Sequence, residues 1–228
     1  MQKLKLFIII LLFAEILCAQ NKNNEAVKYF GRDQVIFDLN YNYWIDNENT
    51  TRQNINSYGC SFYIMYNLLG KYSNICFASG FGLSMENINL ETQPYDSLGY
   101  TYFTIIPSNI DYQKNKIALT YLDVPLEIRI RTNPNEKRKS FKIFLGGKLG
   151  YLINNHLKYI GEDFATGKWV KYKNYYLPNI SPFRYGLTCR IGFGKFNITG
   201  YYALTTLFKE NKSAEIYPVN IGISMILY

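Results

Sequence analysis

Residues 122–131 read LDVPLEIRIR, in which Leu122, Val124, Leu126, Ile128 and Ile130 alternate without a break with Asp123, Pro125, Glu127, Arg129 and Arg131. A period of two with this contrast is a β-strand whose two faces meet opposite environments. The polar face carries both signs of charge, so its members can pair with one another or across to neighbouring strands. That suits a polar barrel lumen as well as a solvated sheet face, and the flanking sequence has to choose between them.

On the N-terminal side the strand begins near Lys116, where Ile117, Leu119 and Tyr121 stand in the opposite phase from Leu122 onward. A slip of one residue predicts a bulge, and Pro125, which has no N–H for the ladder, is best tolerated beside one. On the C-terminal side, residues 133–140 form a turn that holds the one local basic cluster, Lys137, Arg138 and Lys139. Phe141, Ile143, Leu145, Leu149, Tyr151 and Ile153 then alternate with Lys142, Phe144, Gly146, Lys148 and Gly150.

The same pattern recurs along the chain. Strands are predicted over 35–46, 59–68, 75–86, 183–193, 196–207 and 216–228, which with the two above makes eight. The first, with Asp38, Asn40 and Asn42 on one face, is long enough to cross a hydrocarbon layer, for which about 9–11 tilted residues suffice. On the third, the small residues Ala78, Gly80, Gly82 and Ser84 leave room inside a narrow barrel for long side chains from other strands. The connections alternate: long polar segments at 47–57, 87–115, whose TYFTII core at 101–106 can pair locally, and 154–181, short turns at 70–74, 133–140 and 194–195, and a middling one at 208–215. An even strand number with short turns at one end and long loops at the other is the rhythm of an outer-membrane barrel. The expected fold is therefore all-β: an eight-stranded antiparallel transmembrane up-and-down β-barrel over residues 33–228.

Residues 1–19 read as a secretory signal, with Lys3 and Lys5 ahead of an unbroken apolar run from Leu6 to Phe13 and a small residue at Ala19; residues 20–32 are a polar leader. The apolar run is too short to span a bilayer as a helix. Loss of the signal with Cys18 leaves Cys60, Cys76 and Cys189, whose number and spacing give neither a disulfide framework nor a metal motif, and no cofactor motif is present. The formal charge of +8 is spread along the chain, with no basic stripe or nucleic-acid module, so nucleic acid is not an expected partner. The final Tyr228 is the aromatic end usual in chains handed to the outer-membrane insertion machinery.

YLDVPLEIRIR (121–131), FKIFLGGKLGYLIN (141–154), RYGLTCRIGFGKFNITGYYALTTLF (184–208) and the closing VNIGISMILY (219–228) resemble the PorT-like outer-membrane β-barrel family. The resemblance implies an eight-stranded barrel in a gram-negative outer membrane, delivered by a signal peptide; the family's name-giving member acts in type IX protein secretion. No residue ties this chain to secretion.

Three constellations are candidates for function. The charges Asp38, Glu86, Asp123, Glu127, Arg129, Arg131, Lys142, Lys148, Arg184 and Arg190 fall on the polar strand faces. They are expected to form a barrel-interior network, since opposite charges satisfy one another where water is scarce; as an alternative they line a pore or bind an anion. In the long 154–181 segment Trp169, Lys171, Tyr172, Lys173, Tyr175 and Tyr176 interleave base with ring. They read either as an external recognition surface for glycan, lipopolysaccharide phosphate or an envelope or secretion protein, or as part of the aromatic girdle of a barrel rim. The single histidine, His156, has Glu162, Asp163 and Thr166 as its nearest possible catalytic partners, all placed in the same loop, and no enzyme is expected. The contrasting expectation is a soluble lipocalin-like carrier of a small apolar ligand, with apolar residues inside the barrel and charges outside.

Overall fold

A computed structural model describes residues 34–69, 73–133, 139–175 and 177–227. The signal and leader, the Gly70 and Lys137–Arg138 turn residues, Tyr176 and Tyr228 lie outside these residues. Among the described residues there are eleven strands: β1 (Gln34–Asp46), β2 (Tyr58–Leu69), β3 (Ile75–Asn89), β4 (Thr92–Ser97), β5 (Tyr100–Ile105), β6 (Tyr112–Arg131), β7 (Phe141–Glu162), β8 (Trp169–Asn174), β9 (Phe183–Phe193), β10 (Phe196–Ala203) and β11 (Ile216–Leu227).

Eight of them close a ring. The order is β6-β3-β2-β1-β11-β10-β9-β7, and β7 pairs back with β6. Neighbours are antiparallel throughout, and the first strand meets the last over Val35↔Leu227 to Asp46↔Ile216. Closure leaves no unpaired ladder edge, which is what allows a sheet to reside in hydrocarbon. Phe193 and Phe196 are paired across a two-residue turn in which Gly194 takes φ 62°, a conformation that favours glycine.

The wall has opposite chemistry on its two sides. Leu122, Val124, Leu126, Ile128 and Ile130 of β6 are all exposed on the outside, as are Leu39, Phe81, Leu145, Phe183, Leu187, Ile198 and Ile223 from other strands. Asp123, Glu127, Arg129 and Arg131 point inward and are buried. This is the reverse of a lipocalin-like carrier, and that expectation is set aside.

The structure corrects or extends the sequence reading in four places. First, β6 carries no bulge where the sequence suggested one; its one irregularity is at Gln113, between the pairs Tyr112↔Gly161 and Lys114↔Ile160. Ile117, Leu119 and Tyr121 are buried on the same side as Asp123 and Glu127, so the strand keeps one phase from Asn115 to Arg131 while the chemistry of its lumen face changes. The bulge is in β7: Thr120 is opposite Asn154 but Tyr121 is opposite Leu152, which leaves Ile153 as the extra residue. The lumen-facing side of β7 accordingly passes from Lys142, Phe144 and Lys148 to Leu157 and Tyr159. Pro125 is accommodated by a lapse in the β3 ladder, between the pairs Asp123↔Gly82 and Leu126↔Ser79, where the Ser79 hydroxyl donates to its carbonyl at 3.1 Å.

Second, the local pairing open to the TYFTII core of the 87–115 segment is formed and is a full hairpin: β4 and β5 pair from Thr92↔Ile105 to Ser97↔Tyr100. Third, the 154–181 segment continues β7 to Glu162 and returns as β8, Leu157↔Asn174 to Glu162↔Trp169. Fourth, β10 ends at Ala203, and Leu207 and Phe208 leave the wall to pack inside. Long strands at the loop end were hidden because their outer faces are polar there.

The interior core lies in two parts. Toward the short-turn end, Ile36, Met65, Ala78, Phe144 and Ile226 pack around Tyr63. At the loop end a larger cluster, including Trp44, Ile88, Leu119, Leu157, Leu177 and Phe208, fills the mouth. Phe103 of the β4–β5 hairpin meets Phe208 edge-on at 5.8 Å, and Asn179 holds that hairpin through Asp96, the Gly99 carbonyl and Thr101. Cys76 faces the lumen, while Cys60 and Cys189 are half-buried on the outward-facing parity of β2 and β9, and all three thiols are free.

Candidate functional site: the filled lumen and the outer end

The charged side chains lie below the mouth cluster and among the residues of the lower one, with Glu127 opposite Ala78 and Arg129 opposite Phe144, and the strand register brings most of them together in two groups. Asp123 is the centre of the first. It accepts hydrogen bonds from the Ser84 hydroxyl at 2.7 Å and the Tyr63 hydroxyl at 3.2 Å, and pairs with Lys148 at 3.2 Å and Arg184 at 3.3 Å. Arg184 also donates to Glu86 at 2.6 Å, and Glu86 accepts from Asn220 at 2.8 Å. The guanidinium lies 3.5 Å from the centre of the Tyr121 ring, and the Lys148 ammonium 4.1 Å from that of Tyr201. These rings supply a negative face where the cations have lost water.

Glu127 is the centre of the second group, pairing with Arg129 at 2.7 Å and with Arg190, which reaches Asp38 at 2.7 Å. Arg129 also donates to Gln34 and lies 4.7 Å from the centre of the Phe144 ring. Tyr63 links the groups, since its hydroxyl bonds to both Asp123 and Lys148 while Arg190 stands 5.6 Å from its ring centre. Arg131 and Lys142 sit lower, at the turns: Arg131 donates to the Ser73 carbonyl at 3.2 Å and Lys142 to that of Gly194.

The arithmetic of charge follows from this placement. Four carboxylates, Asp38, Glu86, Asp123 and Glu127, meet four cations, Arg129, Lys148, Arg184 and Arg190, through the six ion pairs found among the described residues. None of the ten charged side chains is more than 5% exposed. The cavity between the groups, bordered by Asp38, Tyr63, Lys148 and Arg190, measures about 20 Å³, room for roughly one water molecule. Gly150 shows how tightly the volume is used, because a Cβ there would lie 2.5 Å from an Asp123 carboxylate oxygen and 2.9 Å from Arg184 Cγ.

At the outer end the structure separates the six interleaved residues. Trp169, Lys171 and Lys173 share the outward face of β8 and are exposed; Tyr175 follows them, with its ring centre 4.4 Å from the Lys173 ammonium. Tyr172 turns to the other face, packs on Tyr159 at 5.4 Å and accepts a hydrogen bond from Gln93. Tyr176 is outside the described residues.

His156 is not in a loop but in β7, opposite Ala118. Burial, followed by Lys173, Lys116 and Lys158, holds its pKa below the ordinary 6.5. Asp163 is occupied by the backbone and hydroxyl of Thr166, and no catalytic pairing with His156 is formed among the described residues. Nor does any group of three His, Cys, Asp or Glu side chains there have a metal-binding arrangement.

What sequence reasoning missed is the cationic row on the outer wall above the apolar band, where Lys116, Lys158 and Lys173 stand directly opposite one another. The signal available was the change from Leu122 to Thr120, Ala118, Lys116 and Lys114 along one face of β6; the neighbours depend on register.

No curated protein matches the chain. Two structures of Ail, the attachment invasion locus protein of Yersinia pestis, align over 86% of this chain and 97% of theirs. One, in complex with the heparin analogue sucrose octasulfate, has 11% identity and a TM-score of 0.35; the other has 12% identity and a TM-score of 0.36. The family model described as "Outer membrane protein beta-barrel domain" matches residues 19–209. With that match over most of the chain, and a closed eight-stranded ring that is apolar outside and charged within, the protein belongs to the outer-membrane β-barrel family and resides in the outer membrane of a gram-negative cell.

Proposed function

We propose that this protein is a sealed, non-enzymatic barrel whose lumen is structural and whose work, in envelope maintenance or as an accessory to protein secretion, is carried by its outer end. The observation that carries the reading is the lumen: its central carboxylates and cations neutralise one another at no more than 5% exposure, beneath an apolar plug that includes Trp44, Leu119 and Phe208. A ring of eight strands has an interior that side chains can fill, and paired charges stiffen it without offering a path to ions. The separation of His156 from the Asp163–Thr166 turn supports a non-enzymatic role. The PorT-like resemblance supports the secretion branch, and with it delivery by the 1–19 signal and insertion by the outer-membrane assembly machinery.

Planar-bilayer recording of the refolded full-length protein tests the sealed lumen: no conductance steps above the bare bilayer are expected. A steady, ion-selective conductance would restore the pore reading. Comparing secreted protein and detergent sensitivity in a deletion strain then separates the secretion and envelope branches.

A further inference from the structure

Above the apolar band, the outer wall gathers positive charge that no carboxylate among the described residues pairs with. Lys116 of β6 is directly opposite Lys158 of β7, and Lys158 is directly opposite Lys173 of β8, so three ammonium groups share one cross-strand row and one face. Lys114 and Lys171 flank Ile160 in the next row. On the β3 side the row continues to Asn89, which is uncharged. Like charges directly opposite one another destabilise a ladder, so this arrangement costs stability as it stands.

Every ion pair among the described residues is inside the barrel, on other side chains. Lys116 donates instead to the neutral Asn87 amide oxygen at 2.6 Å. Burial and then the neighbouring Lys114, Lys158 and Lys173 hold the Lys116 pKa below its ordinary value, a sign that these charges feel one another.

The position of the row identifies the occupant. On the outer face of β6 only Ala118 and Thr120 separate Lys116 from Leu122, the first residue of the apolar band. At about 3.3 Å per residue and a strand tilt near 40°, Lys116 stands roughly 15 Å beyond that edge, within the headgroup zone of the outer leaflet once the lysine stems are allowed to reach back. The row faces sideways into the leaflet, not upward into the medium, and the Tyr175 ring beside Lys173 offers a flat surface against which a sugar can stack.

We propose that Lys116, Lys158 and Lys173, flanked by Lys114 and Lys171, form a binding site for the phosphate groups of lipopolysaccharide in the surrounding outer leaflet. The proposal rests on the outer-membrane reading with the long loops outward, and deepens it by naming the partner of the outer end. A phosphate between the rows offsets the repulsion that the fold leaves unbalanced, so the lipid both binds to the extended β6–β7–β8 wall and stabilises it.

The test uses the full-length protein refolded in lipopolysaccharide-free detergent, with its heat-dependent gel shift confirming a closed barrel. It is titrated with lipopolysaccharide, with the same lipopolysaccharide after phosphatase treatment, and with soluble polyphosphate. The triple variant Lys116→Gln, Lys158→Gln, Lys173→Gln is expected to bind the phosphorylated lipid on the order of a hundredfold more weakly than wild type. Phosphatase treatment is expected to weaken the wild type in the same direction, while Lys209→Gln with Lys212→Gln leaves binding unchanged. In lipid-free detergent at low salt the triple variant should be at least as heat-stable as wild type, because its substitutions remove repulsion.

Equal affinity of wild type and triple variant overturns the proposal, as does undiminished binding of the dephosphorylated lipid. Polyphosphate binding as tightly as the lipid overturns the assignment to the leaflet. A triple variant less stable than wild type also overturns it, since the row would then be held by contacts within the protein. A wild type that shows the heat shift yet binds no lipopolysaccharide fails this inference alone and leaves the sealed barrel standing.

Discussion

At Leu122 and Asp123 the wall of β6 is apolar outside and charged inside; at Lys116 and Ile117, six residues earlier on the same strand, it is charged outside and apolar inside. The backbone does not change between the two places, and neither does the parity of the side chains. What changes is the solvent beyond the wall. Hydrocarbon demands Leu, Val and Ile on the outside and leaves the lumen to paired charges. Where β6 and β7 rise out of the membrane, water lies outside, and the inside reverts to the apolar packing of a soluble core, with Ile117, Leu119 and Leu157 in the cluster that plugs the mouth. The chain thus builds a membrane barrel and a water-facing extension with an apolar core from continuous strands.

That comparison is broken most severely by unbalancing the charged storey. Glu127→Gln leaves Arg129 and Arg190 without the carboxylate they share, and a broken buried pair costs about 3–5 kcal/mol. A large fall in the urea midpoint of the refolded barrel is expected; an unchanged midpoint would mean that the lumen charges are solvated. The outer face is tested next by one substitution made on either side of the boundary. Leu126→Arg, in the apolar band, should cost about 2–4 kcal/mol in lipid vesicles, whereas an arginine near the interface costs about 0–1, so Thr120→Arg, at a partly exposed position of the same face, should be close to neutral. Equal costs at the two positions would move the membrane boundary assigned here.

The smallest effect is a pH dependence of the upper storey. His156 lies against Lys116, Lys158, Lys173 and Tyr175, and its pKa is depressed below 6.5. A histidine harder to protonate when folded contributes stability that is fully present above its unfolded value and is lost as pH falls through 6.5 toward the lower folded value. Wild type should therefore lose a little stability on acidification that His156→Asn does not, measured in lipid-free detergent. Equal slopes in the two proteins would remove His156 from the positive cluster.

The membrane storey was the legible half. Its strands announce themselves because one face is strictly apolar, as in residues 122–131, and the short turns between them are marked by Gly194 and Asn74. The upper storey was misread in the same measure. A lumen that turns apolar looks, in sequence, like a strand that has slipped by one, so Ile117, Leu119 and Tyr121 suggested a bulge in β6 when the extra residue is Ile153 of β7. β8 and β4 were hidden in segments rich in Tyr, Thr, Lys and Asn, while the TYFTII core of β5 showed; a strand with water on its outer face and few inward hydrophobics has little contrast to show.

The sequence by itself determined which residues share a face of each membrane strand, because a period of two is a property of the local backbone, and it determined that the faces are of opposite polarity. Only the tertiary structure decided who meets whom. Asp38 and Arg190 are 152 residues apart and come within 2.7 Å because β1 and β9 lie across a closed ring. The lysine row joins three strands at one height only through the registers of two ladders. Register and closure are set by the sum of all pairings around the ring, together with the bulges that shift two of them, and that sum cannot be read from any one strand.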